Sequence, residues 1–216
     1  MLKSAGLAVM MCVTVALAAS GTSLHASEVL DRVIAVVSGT IITLSDARAA
    51  IAFGLVDVAG QRAPVATAME WLVDRQLVLD EVSRYESADL DSVQVDAVFA
   101  EVRRKLETGR TFDAALAQFG LDQDGARRFV RDTVRVQQYL KRRFESILPG
   151  TDDELRERYA ARKSQFVRDG RLLSFEEARE LVQADLQDER RVLAVDAWLA
   201  RLRRRTDVNE LYLPVR

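Results

Sequence analysis

Glycine and proline fall where helical patterns stop. Gly39, Gly54, Gly60, Pro64, Gly109, Gly120, Gly125, Pro149, Gly150, Gly170 and Pro214 separate segments of three-to-four-residue apolar period rather than interrupt them. A chain punctuated in this way reads as a set of amphipathic helices joined by short turns.

The one stretch without that period comes first. Arg32-Val33-Ile34-Ala35-Val36-Val37 is short, apolar and β-branched. It turns at Ser38-Gly39-Thr40 into Ile41-Ile42-Thr43-Leu44, which predicts a β-hairpin. Ser45, with Asp46 behind it, is the expected N-cap of a helix to about Leu55. Helices follow over about Val65 to Tyr85 and Asp91 to Thr108, then a short one capped by Thr111. Asp122 or Asp124 opens a long helix expected to run to Leu148, where Pro149-Gly150 stops it. Thr151-Asp152-Asp153-Glu154 and Ser174-Phe175-Glu176-Glu177 are capping boxes. The first starts a helix through Tyr159 to Phe166, and the second starts the longest helix, to about Arg205. Ala178, Val182, Leu186, Leu193, Ala197 and Leu202 recur along it at helical spacing. Val208 to Leu213 reads as a strand. An isolated hairpin is marginal in water, so the economical arrangement joins both ends of the chain in one small sheet and brings the last helix back against the second to fifth.

Export is the next constraint. Met-Leu-Lys, an apolar run from Ala5 to Ala19 and small polar residues after it predict a secretory signal peptide over residues 1–26. Ala16-Leu17-Ala18 is an alternative cleavage point to Leu24-His25-Ala26. The single cysteine, Cys12, and the single histidine, His25, both fall in this segment. Cys12 lacks the small preceding residues of a lipid-attachment site. The mature part, residues 27–216, is then without thiol nucleophiles, disulfides, histidine bases or His/Cys metal sites. There is no phosphate-cradling glycine loop, no G-x-S-x-G and no S-x-x-K. The carboxylate pairs Asp80-Glu81, Asp152-Asp153-Glu154 and Glu176-Glu177 sit at expected helix starts or exposed faces, where capping explains them. No catalytic residue, metal or cofactor is expected.

Charge is uneven. Residues 28–101 carry 13 acids against 5 bases, and the rest of the mature chain 20 against 25. Arg127 to Arg143 and Arg203-Arg204-Arg205 are the basic clusters. Nucleic acid would explain them, but an exported protein rarely meets it. They read as solvated helix faces able to attract acidic lipid or an acidic client. Trp71 and Trp198 are expected to be structural. Phe112, Leu116, Phe119 and Phe129 fit a core, and they are also the candidate contacts if an apolar groove holds a client peptide.

The order of segments resembles the SurA-type periplasmic chaperones and their PpiC-like relatives. Leu30-Asp31-Arg32-Val33-Ile34-Ala35-Val36-Val37 leading to Ile41-Ile42-Thr43-Leu44-Ser45-Asp46 is similar to their opening strand, turn and first helix. Trp71 to Val82 resembles their second helix. Thr111-Phe112-Asp113 to Gly120, Gln138-Tyr139-Leu140, Asp152 to Tyr159 and Ala197-Trp198-Leu199-Ala200-Arg201-Leu202-Arg203 resemble the family's later helices, in the same order. In that family parvulin-type prolyl isomerase domains lie before the C-terminal helix. Here only residues 167–173 fill the gap, and a folded domain needs about 50 residues.

The resemblance implies a mostly α chaperone core over 27–216, with a part of 27–166 completed by 174–216 and a small sheet joining hairpin and final strand. It implies an ATP-independent periplasmic protein, not an enzyme, that binds unfolded or nascent exported proteins without stable membrane insertion once the signal is removed. An envelope scaffold serving one assembly machine, and a prolyl isomerase with a different site, remain open alternatives.

Overall fold

The computed structural model describes residues 31–85 and 92–211. The expected signal peptide, and Tyr212 and Leu213 of the expected last strand, lie outside the described residues. The fold is mostly helical with a small antiparallel sheet.

Strands β1 (Val33–Val37) and β2 (Thr40–Thr43) form the hairpin. Its turn is two residues, Ser38 and Gly39, both at positive φ (49° and 83°), as the right-handed strand twist favours. Thr40, expected in the turn, pairs with Val37. The register shifts between Val33 and Ala35, so Ile34 is an extra residue and both Ile34 and Ala35 are buried. Strand β5 (Val208–Glu210) adds to the other side of β1, pairing Ala35 with Glu210 and Val37 with Val208. The sheet order is β2-β1-β5, which joins the two ends of the described chain as the sequence suggested.

Helix α1 (Leu44–Phe53) begins with no linker after β2. Its N-cap is Thr43 rather than Ser45. The Asp46 N–H donates to Thr43 Oγ1 (3.2 Å), and the Asp46 carboxylate accepts from the Thr43 N–H (2.8 Å). The Ser45 N–H instead donates to Asp31. Helix α2 (Pro64–Tyr85) places proline at its first position, where no hydrogen bond is lost. It runs beneath the sheet, and Ala68, Met69, Leu72, Val73, Leu77, Val78 and Val82 form the first core with Ile34, Ala35, Val37 and Ile42.

Helices α3 (Ser92–Leu106), α4 (Phe112–Ala117) and α5 (Gln123–Arg143) build a second core with α1. Thr111 caps α4 and Asp122 caps α5, the latter accepting from the Gly125 N–H at 2.6 Å. Gly125 is therefore inside the first turn of α5, not between segments. Helix α5 also ends earlier than expected, at Arg143 rather than Leu148. Phe144 leaves helical geometry (ψ 22°) and its ring meets Trp198 at 5.8 Å. Pro149-Gly150 therefore does not stop that helix. A Cβ on Gly150 would lie 2.5 Å from Leu186 Cδ2, so the glycine permits a close approach.

Helix α6 (Asp152–Ala161) starts at the Thr151 capping box and gives way to a 3₁₀ turn, Lys163–Gln165, before Phe166. The gap expected to be bare linker holds a minimal hairpin, β3 (Val167–Arg168) and β4 (Arg171–Leu172), turning at Asp169-Gly170 (φ 51° and 74°). Helix α7 (Phe175–Arg205) then spans the molecule. Ala178 and Val182 join Leu155, Phe166 and Leu173 in a third cluster, while Trp198 and Leu202 join the first core. At 100° per residue, Val182 and Trp198 lie about 160° apart around the axis. The expected single apolar stripe is thus two short ones on nearly opposite faces. Leu193 and Ala197, placed in that stripe from sequence, are exposed where the faces change over. Helix α7 packs on α2, α6 and the end of α5, and it contributes nothing to the core around α3 and α4.

Candidate functional site

Helix α5 is amphipathic, with Val130, Thr133, Val134, Val136 and Tyr139 inward and Lys141, Arg142 and Arg143 in its last turn, where cations complement the helix dipole. Its C-terminal half meets α7 at Trp198. That indole lies 5.9 Å from the Tyr139 ring, and the Arg143 guanidinium sits 4.9 Å from its ring centre. Beyond α5 the chain is strapped to α7. Arg190 donates to the carbonyls of Leu148 (3.1 Å) and Pro149 (3.4 Å), and the Gly150 N–H donates to the Gln183 side chain.

Toward the N-terminus of α7 from Trp198, α5 and α7 leave a groove of about 510 Å³ between them. Leu140 and Val195 give it an apolar lining, with Gln137, Lys141, Glu145 and Arg191 around them. Val192 and Leu193 on the same stretch of α7 are 58% and 61% exposed. The groove offers apolar contact bordered by amides and both signs of charge. Among the described residues there is no group of three or more His, Cys, Asp or Glu side chains fit to hold a metal ion, and no helix long and apolar enough to cross a membrane.

A second, smaller cavity of about 200 Å³ under β2 contains Asp46, Arg75, Gln76 and Asp132, a set that invites a catalytic reading. Its central cation is already committed. Arg75 Nε donates to Thr133 Oγ1 and Nη2 to the Phe129 carbonyl, each at 3.0 Å, and the guanidinium stacks 4.6 Å from the Phe129 ring centre. Burial lowers the Arg75 pKa, opposed by the carboxylates of Asp132 and then Asp46. Arg75 is a clamp between α2 and α5.

No family model and no curated protein matches this chain.

The candidate peptide contacts named from sequence sit in the second core. Phe112 and Leu116 are buried, Phe112 edge-to-face with Phe99. Phe119 and Phe129 are half-buried, each edge-to-face with Phe53. The structure brings these four together as packing, and none lines the α5–α7 groove. Trp198 is buried, and Trp71 is half-buried against the first core. The groove residues themselves were missed: Leu140 and Val195 are ordinary members of two helical patterns, 55 positions apart. A weak signal existed in the order Gln137, Leu140, Lys141, where one apolar side chain interrupts a polar helix face.

Proposed function

We propose that this chain is an ATP-independent chaperone core of the SurA type, acting in the periplasm on unfolded or extended segments of exported proteins, without prolyl isomerase activity. The α5–α7 groove carries the reading. It is apolar at Leu140 and Val195, where client side chains would lie, and bordered by amide and charged groups that suit a hydrated rim. The order of elements supports the family assignment: hairpin, helices, and a long last helix returning a strand to the first sheet. A seven-residue gap between Phe166 and Ser174, occupied by the β3–β4 hairpin, leaves no room for a parvulin domain. Holding a client needs exposed apolar surface alone, whereas isomerisation must lower a barrier of about 18–20 kcal/mol.

Two assays test the reading. Light scattering of a denatured porin diluted into buffer should be suppressed at several-fold molar excess of this protein, with or without ATP. Proline-limited refolding of a small model protein should proceed at its uncatalysed rate. Unchanged scattering would overturn the chaperone reading, and faster refolding would overturn the exclusion of isomerase activity.

A further inference from the structure

The bases of α5 line a furrow as well as a solvated face. On the α3 side, a depression of about 400 Å³ is lined by Ser92 and Val95 of α3 and by Asp124, Arg127, Arg128 and Arg131 of α5. Farther along α5 a second depression, also about 400 Å³, is lined by Gln94, Gln137, Gln138, Lys141, Arg142 and Glu145. The Gln138–Gln94 hydrogen bond (2.8 Å) crosses from α5 to α3 at the second depression. Gln137, Lys141 and Glu145 also belong to the apolar α5–α7 groove, so the second depression runs into it. Along α5 the surface track thus runs in sequence order from arginines to glutamine amides and on to Leu140, with Val195 opposite, and its last two parts open into one another.

Resting on the chaperone reading, we infer that this track selects clients: it takes an extended polypeptide segment in which acidic residues adjoin apolar ones, carboxylates over Arg127–Arg131 and apolar side chains over Leu140 and Val195. Charge complementarity favours this occupant. The two depressions are lined by five bases against two acids. Arg127 is partly neutralised by Asp96 and Arg131 by the neighbouring Asp132, but Arg128 and Lys141 form no ion pair with any described residue. Dimensions agree as well. From Arg128 to Lys141 the helix rises about 20 Å and turns by about 140°, so a segment following its surface needs about seven or eight extended residues. The glutamines distinguish a peptide from a phosphate headgroup. An amide both donates and accepts, as a peptide backbone requires, whereas a phosphate at neutral pH mainly accepts. The bases also line concave walls, where an extended chain fits better than a lipid surface.

Fluorescence anisotropy with labelled twelve-residue peptides tests this on the whole exported chain. One peptide carries a Glu/Asp block beside a Leu/Val/Phe block, in both orders; a second has Lys in place of each acid; a third has Ser. The acidic–apolar peptide should bind at least tenfold tighter than the lysine peptide, in at least one order, with the advantage shrinking as salt rises. The double variant Arg128→Glu/Arg131→Glu, on exposed positions outside the α5–α7 groove, should remove most of that advantage and leave the serine peptide unchanged, with an unaltered thermal melt. Equal affinity for acidic and lysine peptides, or an advantage the double variant does not touch, overturns the inference while the chaperone reading stands. If the serine peptide fails to bind too, both readings fall. Vesicles containing phosphatidylglycerol provide the other control. Sedimentation with them that the double variant abolishes, without any peptide preference, would assign the bases to lipid and overturn the inference.

Discussion

Replacing Trp198 with alanine should be the most damaging single change in α7. The indole is 5% exposed and packs against Tyr139 and Phe144 at 5.9 and 5.8 Å between ring centres. It joins three pieces of chain: α7 itself, the end of α5, and the segment that turns away from α5 at Phe144. Tyr139 is held within α5 and Phe144 by its N–H donating to the Leu140 carbonyl (3.0 Å), so neither can collapse far into the space and most of the void would persist. A buried aromatic truncated in such surroundings costs about 3–5 kcal/mol. For a domain of this size each kcal/mol lowers Tm by about 2–4 °C, giving a fall of about 6–20 °C. Urea unfolding followed by far-UV circular dichroism reads the change directly, with an unchanged m-value showing that the same surface is exposed. Trp198→Phe keeps a ring between its two partners and should lose less than half as much. The chain has two tryptophans, so a Trp71→Phe background lets the fluorescence of Trp198 report on this junction alone. A loss below about 1 kcal/mol for the alanine variant would refute the packing account. It would do so with most force if peptide binding were lost at the same time.

The remaining expectations are more local. Arg75→Ala removes the donor to Thr133 Oγ1 and one of two side-chain donors to the Phe129 carbonyl, which keeps the Thr133 hydroxyl, and should cost about 2 kcal/mol in denaturant unfolding; Arg75→Lys, lacking the forked geometry, should recover little of it. A fragment of residues 27–173 lacks Trp198, Leu202 and β5, so calorimetry should show no sharp transition; a sharp one would mean that the first core closes without α7. The Glu177 carboxylate, held first by Arg171 and then by the Ser174 cap, is depressed to about 2, so an NMR titration should find its midpoint there, and Ser174→Ala, which removes only the hydroxyl donor, should raise it. Because the folded pKa lies below the unfolded one, the stabilisation is present above about pH 4.5 and disappears as pH falls toward 2. Gly150→Ala forces Leu186 and Leu155 aside and should lower stability by about 1 kcal/mol, read as a smaller urea midpoint at constant m.

Much of this fold was legible because its signals are local. The capping boxes at Thr151 and Ser174, the caps Thr111 and Asp122 and the Ser38-Gly39 turn each depend on residues within four positions of one another. The end of α5 and the face of α7 were misread for tertiary reasons. Phe144 ends α5 because Trp198, 54 residues later, receives its ring. The face of α7 changes over because α6 and the first core lie on different sides of it, which no single helical period can express. The groove was harder still to foresee. Phe112, Leu116, Phe119 and Phe129 attract notice as large apolar side chains, and for that reason the core holds them. A groove is made by what packing leaves uncovered, and Leu140 and Val195 acquire their role only where two helices fail to meet.

The pairing of Ala35 with Glu210 has a consequence for how such a chain comes into being. Closing a loop of 175 residues costs about 4–5 kcal/mol in chain entropy before any contact offsets it. The hairpin of residues 33–43 forms from neighbours and is ready early, but the second edge of its first strand has no mate until residues 208–210 have been made. At about 5–20 residues per second, that interval is roughly 10–35 s. For that time Val33 to Val37 presents a row of unsatisfied backbone groups to any extended chain nearby. Until its end arrives, the protein is itself an open template.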